Sequence, residues 1–432
     1  MTDGAGKRGS LAFADAADAL GASLDAGAGL DSVTVELSAL KENLVPSLAL
    51  YRDLLREPRF EQGEIDRVKA SWIAGIKQEK VNPNAVAMRV LPPLLYGKGH
   101  PYAIPFTGSG DEAAITSLGR EDLVDFHRDW LRPQDGTLIV VGDTTLAEIV
   151  PLLDKQLGDW KASGDAPVIK ASTAGAVPKA TRVFLIDQPG AVQANLFAGQ
   201  VVPPSSDASS IRFDIANGVL GGDFTSRLNM NLREDKHWSY GARTSASSTV
   251  GQRPWMAMAP VQIDKTGPAL AEMRKEIAEF ADGSKPATEA EVNRIRNIQT
   301  LSLPGAYETA AAVASTIGAI VQFKRPDDYV VRRKAEIEAM TPAQVQQAAT
   351  EIKPQGLTWV VVGDLKQTEA AVRALKLGEV TVIDAEGNPV KKEGRTPARY
   401  RAGRLPGSAG RWPATPSCIW GQSPLRGIRP HP

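Results

Sequence analysis

Residues 132–143 read RPQDGTLIVVGD, and residues 353–364 read KPQGLTWVVVGD. Each is a proline turn that enters a β-branched run and stops at Gly-Asp, the pattern of a strand bounded by turn residues. Pro133 and Pro354 stand 221 residues apart, as do Asp143 and Asp364. A second pair keeps nearly the same step, since LGASLDAGA from Leu20 and YGARTSASS from Tyr240 are offset by 220. Self-similarity at one step predicts a duplicated unit of about 220 residues.

The second copy opens at Arg182 with RVFLIDQPG, a strand, followed by AVQANLFAGQVV, another, and by a helical run from Ser210. Subtracting the repeat puts the opening of the first copy about 40 residues before Met1. The first copy is therefore expected to lack its opening strands and much of its first helix, leaving an unpaired sheet edge and apolar helix faces. Periodicity predicts strands over 33–40 and 137–142, and helices over 43–56, 64–79, 120–131 and 146–160. The second copy repeats the scheme with helices over 266–281, 288–301 and 342–352. Residues 1–161 then form one domain and 182–390 another, joined by an Ala-, Gly-, Ser- and Pro-rich linker over 162–181. Residues 391–432 hold seven arginines, seven prolines and no periodic apolar pattern, which predicts a disordered tail.

Composition narrows the function. Lys+Arg and Asp+Glu are both 50, but seven arginines lie beyond Glu393, so 43 basic groups face 50 acids in the body. A mildly acidic body without a basic stripe argues against a nucleic-acid partner. The single cysteine, Cys418, lies in the tail, so neither an intrachain disulfide nor a cysteine metal site is possible. No apolar run reaches the length of a membrane span, and the residues after Met1 have no signal-peptide h-region. The four histidines, His100, His127, His237 and His431, have no i, i+4 pair, so no helical two-histidine zinc motif can be written. FTGSGD at 106–111 is a turn, not a nucleophile elbow.

Residues 221–242 read GGDFTSRLNMNLREDKHWSYGA. An apolar stripe at Phe213, Ala216, Val219 and Leu220 is interrupted by Gly221-Gly222, resumes at Leu228, Met230 and Leu232, and ends at Arg233. Tyr240 opens the strand just beyond. An arginine near a helix end and a tyrosine on the next strand converge as donors suited to a peptide carbonyl or a developing oxyanion.

That stretch, with LSALKENLVPSLALYRDLLREPRF (37–60), LLYGKGHPYAIPFTGSG (94–110) and FHRDWLRPQDGTLIVVGD (126–143), resembles the peptidase M16 family of insulinase- and pitrilysin-like zinc metallopeptidases, related to mitochondrial processing peptidase. The resemblance runs over residues 3–390. It implies an α+β fold of two duplicated α/β-roll domains, antiparallel-rich sheets packed with helices, the first incomplete. It also implies that Arg233 and Tyr240 hold the substrate backbone opposite the zinc. His237-Trp238 departs from the family, where a glycine followed by an apolar residue is commoner.

The family's zinc ligands are a His-x-x-Glu-His motif, which in this register falls before Met1, and a downstream glutamate, which falls on Gly75. The acidic position before it falls on Val68, and Glu79 lies one turn late. Glycine offers no ligand. The resemblance therefore implies a subunit with no catalytic or metal-binding residue of its own, inactive alone, and closing over peptide substrates with a zinc-bearing His-x-x-Glu-His partner in a heterodimer. A proteolytically inactive scaffold paralogue and a fragment of an active zinc peptidase are the rival readings. Bacterial relatives are commonly periplasmic, which implies the same location here.

Overall fold

A β-branched run becomes a strand only where neighbours take its backbone donors and acceptors. A computed structural model of the chain describes residues 1–162, 164–165, 167, 175 and 177–390. The tail reading over 391–432 and part of the linker reading over 162–181 lie outside these residues. Met1–Val390 form one compact unit.

The strands are β1 (Gly4–Ala5), β2 (Arg8–Gly9), β3 (Ser23–Ala28), β4 (Val33–Ser38), β5 (Arg182–Asp187), β6 (Gln193–Val202), β7 (Arg243–Ala246), β8 (Arg253–Gln262), β9 (Thr358–Gly363) and β10 (Glu379–Ile383). Six of them form a mixed sheet in the order β10-β5-β9-β6-β8-β7. β5 pairs in parallel with β9 and β10. β6 pairs antiparallel with both β9 and β8, and β7 closes the far edge. An α+β fold is thus present.

β9 explains why TWVVVG reads as an unbroken apolar run: all six residues are buried, as expected of a strand covered on both faces. Its alternate side chains serve two cores. Trp359 and Val361 join the cluster under helices Ser210–Asn217, Thr266–Ala281 and Pro342–Ala349. Val360 and Val362 join Phe197 and Val201 against Val86, Val90, Leu91 and Leu95 of helix Pro83–Tyr96. Gly199 permits that approach, because a Cβ there would lie 3.3 Å from both Leu91 and Leu95.

β3 and β4 form a separate hairpin above helix Leu44–Arg56, with Leu24 and Val35 against a small core of Phe13, Leu50 and Leu54. Its turn is tied to the β7–β8 turn. The Tyr102 hydroxyl donates to Asp31, while the amides of Val250 and Gly251 donate to Asp31 Oδ2 and the Tyr102 hydroxyl, each at 2.9 Å. Burial, reinforced by the hydrogen bond to Asp31, pushes the Tyr102 phenol up to about 12.

The predicted helices form with ends within three residues of expectation. Helix Pro83–Tyr96 is not legible in the sequence, since Pro92 and Pro93 sit inside it and read as breakers. Its start is conventional, with the Asn82 side chain accepting from the amides of Asn84 and Ala85 and Pro83 in the first turn, as N-cap chemistry favours.

The predicted strand at 137–142 is a correction. These residues form no strand, and none of their amides donates a backbone hydrogen bond among the described residues. The physical reason is the absence of a neighbour. Residues 358–363, with nearly the same sequence, have β5 on one side and β6 on the other, whereas no described strand pairs with 137–142.

Candidate functional site

Helix Ser210–Asn217 continues through a wider π turn at Gly218–Gly222, a short turn at Arg227–Asn229 and a second π turn at Met230–Asp235. The Gly221 in this path is sterically required. A Cβ there would fall 2.6 Å from the Thr244 amide nitrogen of β7, so the glycine lets the helical path abut the sheet edge. Phe213, Ala216, Val219, Leu220, Leu228 and Leu232 of the expected stripe are buried in the main core. Met230 is exposed instead, because each π turn adds a residue and moves the helical phase.

Arg233 lies on the second π turn, its guanidinium 4.6 Å from the centre of the Phe224 ring. Its Nε stands 3.3 Å from Glu234 Oε1, and both Nη groups are without a hydrogen-bond partner among the described residues. Phe224 escapes the sequence reading, although an aromatic nine residues ahead of the arginine is the available signal. The stacking restrains a long side chain that solvent alone would leave free.

The connection from Arg233 to Tyr240 is held by its backbone. The amides of Trp238 and Ser239 both donate to Leu232 O, at 3.0 and 3.3 Å. The Ser239 hydroxyl donates to Pro260 O at 2.6 Å, the Gly241 amide donates to the Ser239 hydroxyl, and the Ala242 amide donates to Asn229 Oδ1. His237 takes φ +58°, the left-handed region that favours glycine, with its Nδ1 3.1 Å from Arg233 O. Histidine thus stands at a position whose backbone favours glycine. Tyr240 is 84% exposed, a free phenol on a clamped backbone. Neither a hydrogen bond nor a cation–π contact joins it to Arg233 among the described residues; the two share one connection and project from it separately.

The matched third-ligand position, Gly75, is exposed on helix Gln62–Val81, with nothing within 4 Å of an added Cβ. Val68 is half-buried on the same helix. Glu79 is committed elsewhere, its Oε2 accepting from Arg89 Nη1 and the Ser109 hydroxyl at 2.6 Å each and from the Thr107 hydroxyl at 3.2 Å. The histidines of the described residues also serve local structure: His100 Nδ1 accepts from the Tyr102 amide, and His127 Nε2 lies 2.7 Å from Leu55 O. His431 lies outside the described residues. Among these residues no three His, Cys, Asp or Glu side chains gather where they could hold a metal ion, and the residues at the aligned position do not fit zinc.

A mixed six-stranded sheet with helices on both faces defines an α+β protein, with the Arg233–Tyr240 connection beside its β7 edge. Residues 117–299 match the family described as peptidase M16 inactive domain. The chain resembles the uncharacterized zinc protease YmxG of Bacillus subtilis (strain 168), 23% identical over 236 residues, and spans about half, 55%, of that relative's length, using 55% of its own. In fold it matches the peptidase M16 inactive domain from Pseudomonas fluorescens (TM-score 0.76, 22% identity, 84% of this chain and 85% of that one). It also matches a protease from Helicobacter pylori (TM-score 0.76, 16% identity, 84% and 86%). The periplasmic protease PqqL from Escherichia coli matches over 84% of this chain but 39% of its own length (TM-score 0.69, 16% identity). The match to the peptidase M16 inactive-domain family thus lies within residues 117–299, and the likeness to the zinc protease and protease relatives is distant. No helix among the described residues is long and apolar enough to cross a membrane.

Proposed function

We propose that the chain is the zinc-free, Arg/Tyr-bearing half of an M16-type metalloendopeptidase, binding an extended peptide opposite a His-x-x-Glu-His subunit that carries the zinc and the hydrolysis. The observation that carries this reading is Tyr240, 84% exposed on a backbone clamped at Ser239 and Gly241, on the connection that also holds Arg233 against Phe224. A solvated phenol on fixed backbone is a donor awaiting an acceptor. Arg233 adds guanidinium donors, which suit a backbone carbonyl. Such donors speed a reaction only as far as they hold the developing charge better than the ground-state carbonyl.

Gly75 and the committed Glu79 support assigning no metal step to this chain. The heterodimer and a periplasmic location belong to the same reading, the latter favoured by the likeness to the periplasmic protease PqqL. Internal duplication belongs to it as well. It is supported by the two hairpins: adding 220 to Ser23↔Ser38, Leu24↔Leu37, Asp25↔Glu36 and Ala26↔Val35 returns the four residue pairs of β7 and β8.

The test is cleavage of a quenched fluorescent peptide by the purified chain, alone and with a His-x-x-Glu-His M16 subunit, with zinc and then with chelator. The expected result is no turnover alone and chelator-sensitive turnover by the pair. Arg233→Ala in the pair is expected to lower kcat/KM by about 10²–10³-fold, the size of losing one oxyanion donor. Chelator-sensitive turnover by the chain alone would overturn the reading, and an unaffected Arg233→Ala pair would favour the scaffold alternative.

A further inference from the structure

Helix Ala310–Gln322 presents different sides to different neighbours. Gly318 faces the first half of the chain, since a Cβ on it would lie 3.8 Å from Ile139 Cδ1. Ser315, Thr316, Ala319 and Ile320 share another side by their helical spacing. They line a cavity of about 270 Å³, together with residues of helix Tyr329–Glu338 and of the turn Gly305–Tyr307. Every residue lining it falls within 303–333, so the second half of the chain forms the cavity by itself.

The lining is apolar at Leu303, Ile320 and Val330 and carries two guanidinium groups, those of Arg325 and Arg333. The Arg325 guanidinium carbon stands 4.2 Å from the centre of the Tyr329 ring and 4.7 Å from that of Phe323, contacts that hold the group in place without neutralising it. Its hydrogen bond to Ser205 O is long, 3.4 Å. Arg333 Nη2 donates to Gln299 Oε1 at 2.5 Å, again an uncharged acceptor. By contrast, Arg212, Arg253 and Arg332 each meet a carboxylate, of Glu336, Asp214 and Asp328 in turn. Neither Arg325 nor Arg333 does so among the described residues. Burial draws the Arg325 guanidinium below the ordinary arginine value; Tyr329 and Asp214 oppose this, and the like charges of Arg333 and Arg253 add to it. Two neighbouring cations beside apolar surface, with no counter-ion of their own, favour an anion that enters.

We propose that this cavity binds a carboxylate carried on a small apolar body, with the carboxylate at Arg325 and Arg333 and the body against Leu303, Ile320 and Val330. A guanidinium fork matches the two oxygens of a carboxylate and holds it by charge-assisted hydrogen bonds. The volume sits at the small end of ligand sites, which run to roughly 300–1,000 Å³, so it suits a short ligand. A peptide C terminus and a free organic acid present the same chemistry, and the experiment separates them. The site uses neither Arg233 nor Tyr240 and its test needs no peptidase partner, so it stands or falls separately from the peptidase reading.

The experiment is isothermal titration of the full chain with N-acetyl-leucyl-phenylalanine as the free acid, with its C-terminal amide, and with 4-phenylbutyrate. The expected result is saturable binding of the free acid and at least about tenfold weaker binding of the amide, which keeps the apolar body and loses the charge. Arg333→Gln should weaken binding of the acid by a similar factor. Ser315→Phe, at an exposed position, keeps both arginines and fills the space, so it should also weaken binding while leaving the melting temperature of the free chain unchanged. Tighter binding of the dipeptide acid than of 4-phenylbutyrate supports the site with a peptide C terminus as its ligand, and the reverse order supports it with a free organic acid. Failure of both acids to bind overturns the proposal, as do equal affinities for acid and amide, or full affinity in Arg333→Gln and Ser315→Phe.

Discussion

At the residue scale, the Arg233–Tyr240 connection depends on two backbone positions that tolerate little change. His237 holds φ +58°, where a β-branched side chain clashes with its own backbone. His237→Val is expected to cost about 1–2 kcal/mol and to loosen the loop that presents Tyr240, whereas His237→Gly should keep the melting temperature or raise it; thermal denaturation of the two variants checks this. Gly75 is the opposite case, an exposed mid-helix glycine with open space around it. Gly75→Ala is expected to stabilise by about 0.5–1 kcal/mol through helix propensity alone, read as a higher urea midpoint at unchanged slope. A drop in stability there would show that the position makes contacts the geometry lacks.

At the element scale, the site stands on the seam between the π-turned helix and β7. Gly221→Ala would set a methyl 2.6 Å from the Thr244 amide nitrogen and is expected to cost about 1–3 kcal/mol as an overpacking substitution. Because the seam carries the approach to Arg233, reconstituted peptidase activity should fall with it. Helix Pro83–Tyr96 supplies the complementary case. Leu91 is fully buried and touches the β6 backbone at Gly199, so Leu91→Ala should destabilise by about 2–5 kcal/mol, measured by urea denaturation, without altering the exposed Arg/Tyr connection.

At the scale of the whole molecule, the turns of β3–β4 and β7–β8 meet at Asp31, Tyr102, Val250 and Gly251. Burial first, and the Asp31 hydrogen bond second, raise the Tyr102 phenol from 10.0 to about 12. A raised value means that the fold holds this proton more tightly than the unfolded chain does. The associated stability is whole below about pH 10 and is lost as pH climbs from about 10 towards 12. Tyr102→Phe is therefore expected to show a shallower fall of melting temperature between pH 10 and 12 than the parent chain. Tyr96 is raised too, by burial first and then by the neighbouring Tyr102 and Asp31 charges, so the variant also removes part of that shift, in the same direction.

Local pattern determined much of this protein. The 3.6-residue apolar period placed seven helices to within three residues but not Ala310–Gln322, Tyr329–Glu338 or Leu365–Ala374, and the repeated Pro-to-Gly-Asp segment marked two candidate strands a fixed step apart. The run ending at Arg233 and followed by Tyr240 marked the candidate site. Three things needed the tertiary structure. Helix Pro83–Tyr96 forms despite internal prolines because one apolar face closes a whole side of the sheet. The phase of Met230 depends on π turns, which exist because the path must pass β7 at Gly221. Above all, TLIVVG at 137–142 and TWVVVG at 358–363 carry nearly the same message, yet only the second becomes a strand. A strand's hydrogen bonds are made with its neighbours, and whether a neighbour lies alongside is a property of the fold and not of the segment.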